Sequence, residues 1–269
     1  MAFVIMLVSA AAIIGLVRFG LIAGLDHLAG ALQWSAKLRG QATGYATSAP
    51  ELVTLVAAGL AGVWDAGLWN IAASNLINTA LLASAVLFYG QLRDFATLRF
   101  LDELGFAALA VAAPLLLMQL ELDTSWAVVP VLFVLFAIYR MVDRRVNPKV
   151  GAPATDTVGN LPLGAILVLT ALLLIAVAGF FLGGATEEVV NQLGIHPAIA
   201  GWILGVVTSL PEMVTFFAIY SQARKQGTSH LGEDTQEALD NLAASNMANT
   251  GLIYPLGLTV FLLARGLAA

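Results

Sequence analysis

Eight long apolar runs fill this sequence, covering roughly 3–31, 36–61, 66–90, 104–120, 126–142, 160–193, 197–223 and 238–264. Short charged or Pro/Gly-containing segments separate them. A helix needs about 20 mainly apolar residues to cross a bilayer. In lipid every backbone polar group must be satisfied internally, which leaves only helices or a closed barrel. Hydrophobic residues make up 59% of the 269 positions and charged residues 11%, too lopsided for one soluble core. The expected fold is all-α and integral to the membrane, with about eight transmembrane helices. The first run holds Arg18 and no small-residue cleavage site, so it reads as a retained helix rather than a signal peptide.

The same sequence excludes several chemistries. It has no cysteine, hence no disulfide, thiolate metal site or iron–sulfur cluster. His27, His196 and His230 are too scattered for a histidine metal site. The net charge is −5 with no basic run, so nucleic acid is not an expected partner. No cofactor is expected. The expected partners are the lipid bilayer and inorganic cations.

Basic residues orient the helices. Lys37 and Arg39 follow the first run, Arg93 and Arg99 the third, and Arg224 and Lys225 the seventh. Arg140, Arg144, Arg145 and Lys149 end or follow the fifth, while the connections after runs two, four and six hold none. The positive-inside rule puts both termini outside, in the cell (inner) membrane. A helix count wrong by one would scramble this partition, so its cleanness supports eight. The segment NPKVGAPATDT is the one Pro/Gly-rich stretch. It marks a cytoplasmic linker over 147–159, between a five-helix half (1–146) and a three-helix half (160–269).

The halves contain a repeat. Gly44–Thr54 reads GYATSAPELVT and Gly205–Thr215 reads GVVTSLPEMVT. Asn70–Thr79 reads NIAASNLINT and Asn241–Thr250 reads NLAASNMANT. The repeats span about 36–90 and about 197–264. Five helices precede the linker, so the second copy enters the membrane from the opposite side. Inverted repeats with broken helices are the architecture of secondary transporters.

Glu51 and Glu212 fall near the middle of their helices, where a charge costs several kcal/mol (about 3 on insertion scales) unless neutralised. Yet no Lys or Arg occurs from Gln41 to Leu92, or from Val150 to Ala223. Arg18 is the one basic residue deep inside a span, so the missing charge must come from solution as a cation or protons. Pro50 and Pro211 precede the two acids and are expected to free the carbonyls of Ala46 and Val207. Thr47, Ser48, Thr208 and Ser209 add hydroxyls a turn earlier. Ser74 and Asn78 share a helix face, as do Ser245 and Asn249. Carboxylate, amide, hydroxyl and carbonyl form the all-oxygen shell that hard cations such as Ca2+ take. A single proline is as commonly a mere kink, and single Ser, Thr or Asn residues often only glue helices; the duplication favours function. Glu187, Glu188 and Asp26 read as interfacial acids, and Glu233, Asp234, Glu237 and Asp240 as a solvated cytoplasmic loop.

Together the four blocks resemble the paired alpha-repeats of the calcium/cation antiporter superfamily, in particular sodium/calcium exchangers. The preceding segments GLIAGLDHLAGALQWS and FLGGATEEVVNQLGIH match more loosely. The resemblance implies a central cation site between the repeats. Its ligands would be Glu51, Glu212, Thr47, Ser48, Thr208, Ser209, Ser74, Asn78, Ser245 and Asn249, with backbone carbonyls near Gly44 and Gly205. It implies that the first and sixth helices slide to switch access. It also implies ten helices, so two are expected to be lacking from the second half, which leaves room for a homodimer. Many sodium/calcium exchangers carry Asp at the position of Asn249; here both halves have Asn, as in proton-coupled relatives. The implied activity is antiport of Ca2+, or a similar divalent ion, against Na+ or H+. Alternatives are a Mg2+/Mn2+ exchanger, a channel, or a non-transporting structural membrane subunit. An intramembrane enzyme is disfavoured by the absence of HExxH or a cysteine nucleophile. A light-driven pump would need a lysine within a helix, and Lys37, Lys149 and Lys225 all lie near helix ends.

Overall fold

A computed structural model describes residues 1–95, 98–146, 159–227 and 232–268, and these are helical with short connections. The linker expected over 147–159 lies outside the described residues except for Gly159. Helix α1 covers Ala2–Leu32, with a π-helical turn at Val17–Leu21. It ends where Gln33 takes a left-handed conformation (φ 50°) and donates its side-chain amide to Gly30 O. Ser35 then caps α2a (Ala36–Thr47) by accepting from the Leu38 N–H. The chain breaks at Ser48 and resumes as α2b (Ala49–Leu60). Helix α3 (Trp64–Tyr89) ends at Gly90, whose φ of 73° suits a residue without a Cβ. Helices α4 (Leu101–Gln119), α5 (Val128–Val146) and α6 (Leu161–Leu193) follow. His196 caps α7a (Pro197–Thr208), where Pro197 sits in the first turn and needs no N–H partner. After a second break at Ser209 come α7b (Leu210–Gln226) and α8, made of Glu233–Ala248, a π-turn at Asn249–Ile253, and Tyr254–Ala268.

Six of these helices, α1, α3, α4, α6, α7 and α8, are long and apolar enough to cross a membrane. The other two are α2, divided at Ser48, and α5, whose last turns carry Arg140, Asp143, Arg144 and Arg145. The protein is a multi-pass integral membrane protein, with eight long helices among the described residues, α2 and α7 each divided in two. Its polarity is inverted relative to a soluble domain. Phe19, Leu173 and Phe180 are exposed, whereas Asn70, Asn75, Asn246 and Asn249 are fully buried. Only 22% of the α6 span and 33% of the α1 span are buried, against 56% for α8. Helices α1 and α6 therefore form a peripheral pair, packed on each other, outside a core of α2, α3, α7 and α8.

The core is assembled crosswise. Helix α2a packs mainly on α8, and α7a mainly on α3. Glycines permit this. A Cβ on Gly44 would strike Asn241 O and lie 3.0 Å from Ser245 N; one on Gly205 would lie 2.7 Å from the Ala73 Cβ and 3.1 Å from Ser74 N. Small residues at helix crossings let membrane backbones approach this closely.

The structure corrects one expectation. The acidic stretch before the eighth helix is not a solvated loop: α8 begins at Glu233, and Asp234, Glu237 and Asp240 are buried. They are buried because partners meet them. Arg39 reaches Glu237 and Asp26. Gln41 donates to Asp240 (3.3 Å) and Asp143 (3.0 Å), while Arg140 donates to Gln41 (2.9 Å). Lys37 pairs with Asp143. This network fastens α2a to α1, α5 and α8 at one end of the bundle. Asp26 is thus a partly exposed acid paired with Arg39, and Glu188 is an exposed acid that accepts from Gln192.

Candidate functional site

Both glutamates occupy the first turn of a half-helix, Glu51 of α2b and Glu212 of α7b. The sequence dictates this. Proline cannot donate an N–H but fits the first turn of a helix, so the helix that meets Pro50 stops and restarts just before it. A helix start exposes unpaired N–H groups and the positive end of the peptide dipole, which favours an acid there. Each half-helix thus supplies partial positive charge to its glutamate. Pro50 and Pro211 have no N–H to offer the carbonyls of Ala46 and Val207, four residues before them.

Glu51 and Glu212 are wholly buried, and each lacks a cationic partner: no described ion pair reaches either one. One hydroxyl pair links them: Ser48, three residues before Glu51, meets Ser245, which donates to Glu212. Around Glu212, Ser245 donates at 3.2 Å and its hydroxyl also meets Ser48 at 2.9 Å. Asn78 donates to Ser245 from α3 at 3.4 Å. Thr47 faces Glu212 too. Four helices, α2, α3, α7 and α8, therefore converge on this carboxylate. Around Glu51 stand Thr208 and Ser74, hydrogen-bonded to each other at 3.0 Å. Thr208 also donates to Asn70 Oδ1.

The remaining expected residues behave differently. Gly44 O accepts from the hydroxyls of Thr47 and Ser48, and Gly205 O from the Ser209 N–H, so both carbonyls have local partners. Ser209 is buried with no partner for its hydroxyl. Asn249 is tied to neither glutamate; it donates to Asn75 Oδ1 from the α8 π-turn.

Asn75, Asn246, Asn70 and Asn241 were not among the expected site residues, yet all are buried: Asn75 and Asn246 where α3 meets α8, Asn70 where α3 meets α7a, and Asn241 where α8 meets α2a. Asn75 donates to Ala110 O and Thr250, and Asn246 donates to Asn75 O. The repeat held the signal: Asn70 matches Asn241 and Asn75 matches Asn246.

The unmet hydrogen-bonding capacity concentrates in these repeat positions. Both oxygens of Glu51, Glu212 Oε2, Ser209 Oγ, Asn78 Oδ1, Asn241 Oδ1 and Asn249 Oδ1 are buried without a partner. Buried polar atoms are nearly always satisfied, and carboxylate, hydroxyl and amide oxygens are the donors that hard cations take. The described residues contain no cluster of three or more acids, His or Cys that could hold a metal. Two carboxylates plus neutral oxygens are the whole formal charge on offer.

Comparisons with known proteins bear on the family and the fold. The family described as "Sodium/calcium exchanger protein" matches residues 1–142 and 163–265. No curated protein matches. Among solved structures, the H+/Ca2+ exchanger CAX is similar with a TM-score of 0.63 and 16% identity, over 98% of this chain and 69% of that one. The sodium-calcium exchanger NCX_Mj soaked with 100 mM Na+ and 10 mM Sr2+ gives 0.55 and 17%, over 100% and 90%. At those identities the structural likeness speaks for the fold. The family match covers most of the sequence and both glutamate helices, and this chain therefore belongs to the sodium/calcium exchanger family.

Proposed function

We propose that the protein is a secondary antiporter that exchanges Ca2+, or a similar hard divalent cation, for Na+ or H+ by alternating access at Glu51 and Glu212. One observation carries this reading: two buried carboxylates, each at a half-helix start, have no resident cation and sit among oxygens without partners. The ligands would come from both repeats, with Thr47, Ser48, Ser245 and Asn78 nearest Glu212, Thr208 and Ser74 nearest Glu51, and the unpartnered hydroxyl of Ser209 in addition. Asn249 would support the site through Asn75.

Coupling follows from charge. An empty site leaves two negative charges buried at low dielectric, which resists any rearrangement that strips them of water. Divalent cargo neutralises both, as do two monovalent ions or two protons. Only neutralised forms cross, so one ion must return before another leaves. The proposed setting is the cell membrane with both termini outside and residues 147–159 in the cytoplasm. A homodimer is compatible with this scheme.

The test is flux in proteoliposomes under imposed Na+ and pH gradients. Ca2+ uptake should follow one gradient, and Glu51→Gln and Glu212→Gln should each abolish it. Ca2+ movement under neither gradient, or full exchange in both variants, overturns the proposal. Competition by Mg2+ and Mn2+ in the same assay identifies the preferred divalent ion.

A further inference from the structure

Arg18 takes no part in the cation site. It stands midway along α1, in the π-turn, and is exposed; among the described residues no carboxylate lies within ion-pair distance of it. Exposure at that depth faces lipid or a groove, not bulk water, and a bare guanidinium does not persist in hydrocarbon.

The side chain opens on a groove of about 580 Å³ between α1, α7b and the end of α3. Its wall is apolar, from Met213, Val214, Phe217 and Ala218. Its other cation is Lys225, in the last turn of α7b, with Gln222 beside it. No acid lines it.

The internal repeat makes this groove conspicuous. The alignment that pairs Glu51 with Glu212 pairs Val53 with Val214 and Ala57 with Ala218. In the first repeat α6 packs on that face: Gly179 lies against Val53, and Gly183 against Ala57. In the second repeat the equivalent face lines the groove, where the bulk of Arg18 stands in place of a glycine-lined helix surface. All four side chains are half-buried; what differs is the neighbour, a glycine face in the first repeat and the basic Arg18 in the second, with Lys225 nearby.

We infer that this groove binds an anionic phospholipid, its phosphate between Arg18 and Lys225 and an acyl chain on Val214, Phe217 and Ala218. Long basic side chains reach along the helix toward such headgroups, and anionic lipids concentrate beside basic residues at helix ends. In the orientation proposed above, the lipid comes from the cytoplasmic leaflet. The proposal does not depend on the identity of the transported ion.

The experiment compares the full-length protein in detergent, without Ca2+, with phosphatidylglycerol, phosphatidylcholine or inorganic phosphate added. Phosphatidylglycerol should raise the melting temperature, and native mass spectrometry should show one retained lipid. Arg18→Gln and Lys225→Gln should each lower retention several-fold, with Arg18→Lys restoring most of it. Ala218→Trp fills the groove without changing charge and should abolish retention while leaving the melting temperature in phosphatidylcholine unchanged. Equal stabilisation by phosphatidylcholine, an equal shift from phosphate alone, or unchanged retention in Ala218→Trp overturns the proposal.

Discussion

Gly44→Ala isolates the crossing on which the site depends. The added methyl group would meet Asn241 O, Ser245 N at 3.0 Å and the Ala244 Cβ at 3.1 Å, and ordinary contact begins near 3.4 Å. Two of these atoms are backbone and cannot rotate away. Helices α2a and α8 must part by roughly 1 Å, at a steric cost of about 1–3 kcal/mol. The hydroxyl bond between Ser48 and Ser245 lies one turn further on at 2.9 Å, and the same displacement carries it beyond hydrogen-bond range. Gly15→Ala is the control, because nothing lies within 4 Å of a Cβ there. Both substitutions gain about 1 kcal/mol of helix propensity, so their difference reports the clash alone. At about 2–4 °C per kcal/mol, Gly44→Ala should melt about 6 °C below Gly15→Ala. It should also lose Ca2+-dependent stabilisation, which Gly15→Ala keeps. The assay is thermal unfolding of both purified variants with and without Ca2+. If Gly44→Ala melts within about 1 °C of the control and responds equally to Ca2+, the close crossing and its role in shaping the site are refuted.

Gln41→Leu removes the amide that joins Arg140, Asp143 and Asp240; it should cost about 2–3 kcal/mol, and a double-mutant cycle with Asp240→Asn should show coupling. Asn75→Ala deletes bonds to Ala110 O and Thr250 and releases Asn249; unfolding should show a loss of about 1–3 kcal/mol, with weaker Ca2+ stabilisation. Asp123, in the connection between α4 and α5, has its carboxyl raised above the ordinary range, chiefly by burial. Its uncharged form is favoured in the folded state, so the stability it contributes is present in acid and lost as pH rises through the folded-state value. Asp123→Asn should therefore flatten the melting temperature between acid and neutral pH; an unchanged slope would show that another group sets it.

The apolar runs made the membrane fold legible, and the prolines made the two breaks legible, because both follow from local backbone chemistry. Glu51 and Glu212 stood out because a buried charge without a basic neighbour is visible in a linear sequence. Gln41 did not stand out. Its partners Asp143 and Asp240 are far away in the chain and meet it only once α2a, α5 and α8 pack. The acids before α8 misled for the same reason: in sequence they are a charge run, and only the arrival of Arg39 and Gln41 lets them be buried. The π-turns at Val17–Leu21 and Asn249–Ile253 carry no proline or other local signature. The partnership of Asn75 with Asn249 and Thr250 is another product of packing, since it joins opposite repeats.

Crosswise pairing of α2a with α8, and of α7a with α3, also sets an order of events during synthesis. The helix bearing Glu51 leaves the ribosome long before its counterpart surface exists. Until α8 arrives, Gly40 and Gly44 have no backbone to rest against, and Gln41 has no Asp240. The first half must wait in the bilayer with its polar stripe unsheltered, held by provisional contacts with lipid, water or insertion machinery. Insertion of α7 closes its crossing on α3, and insertion of α8 then closes the one on α2a, so truncation before α8 would leave a chain that is inserted yet unfinished.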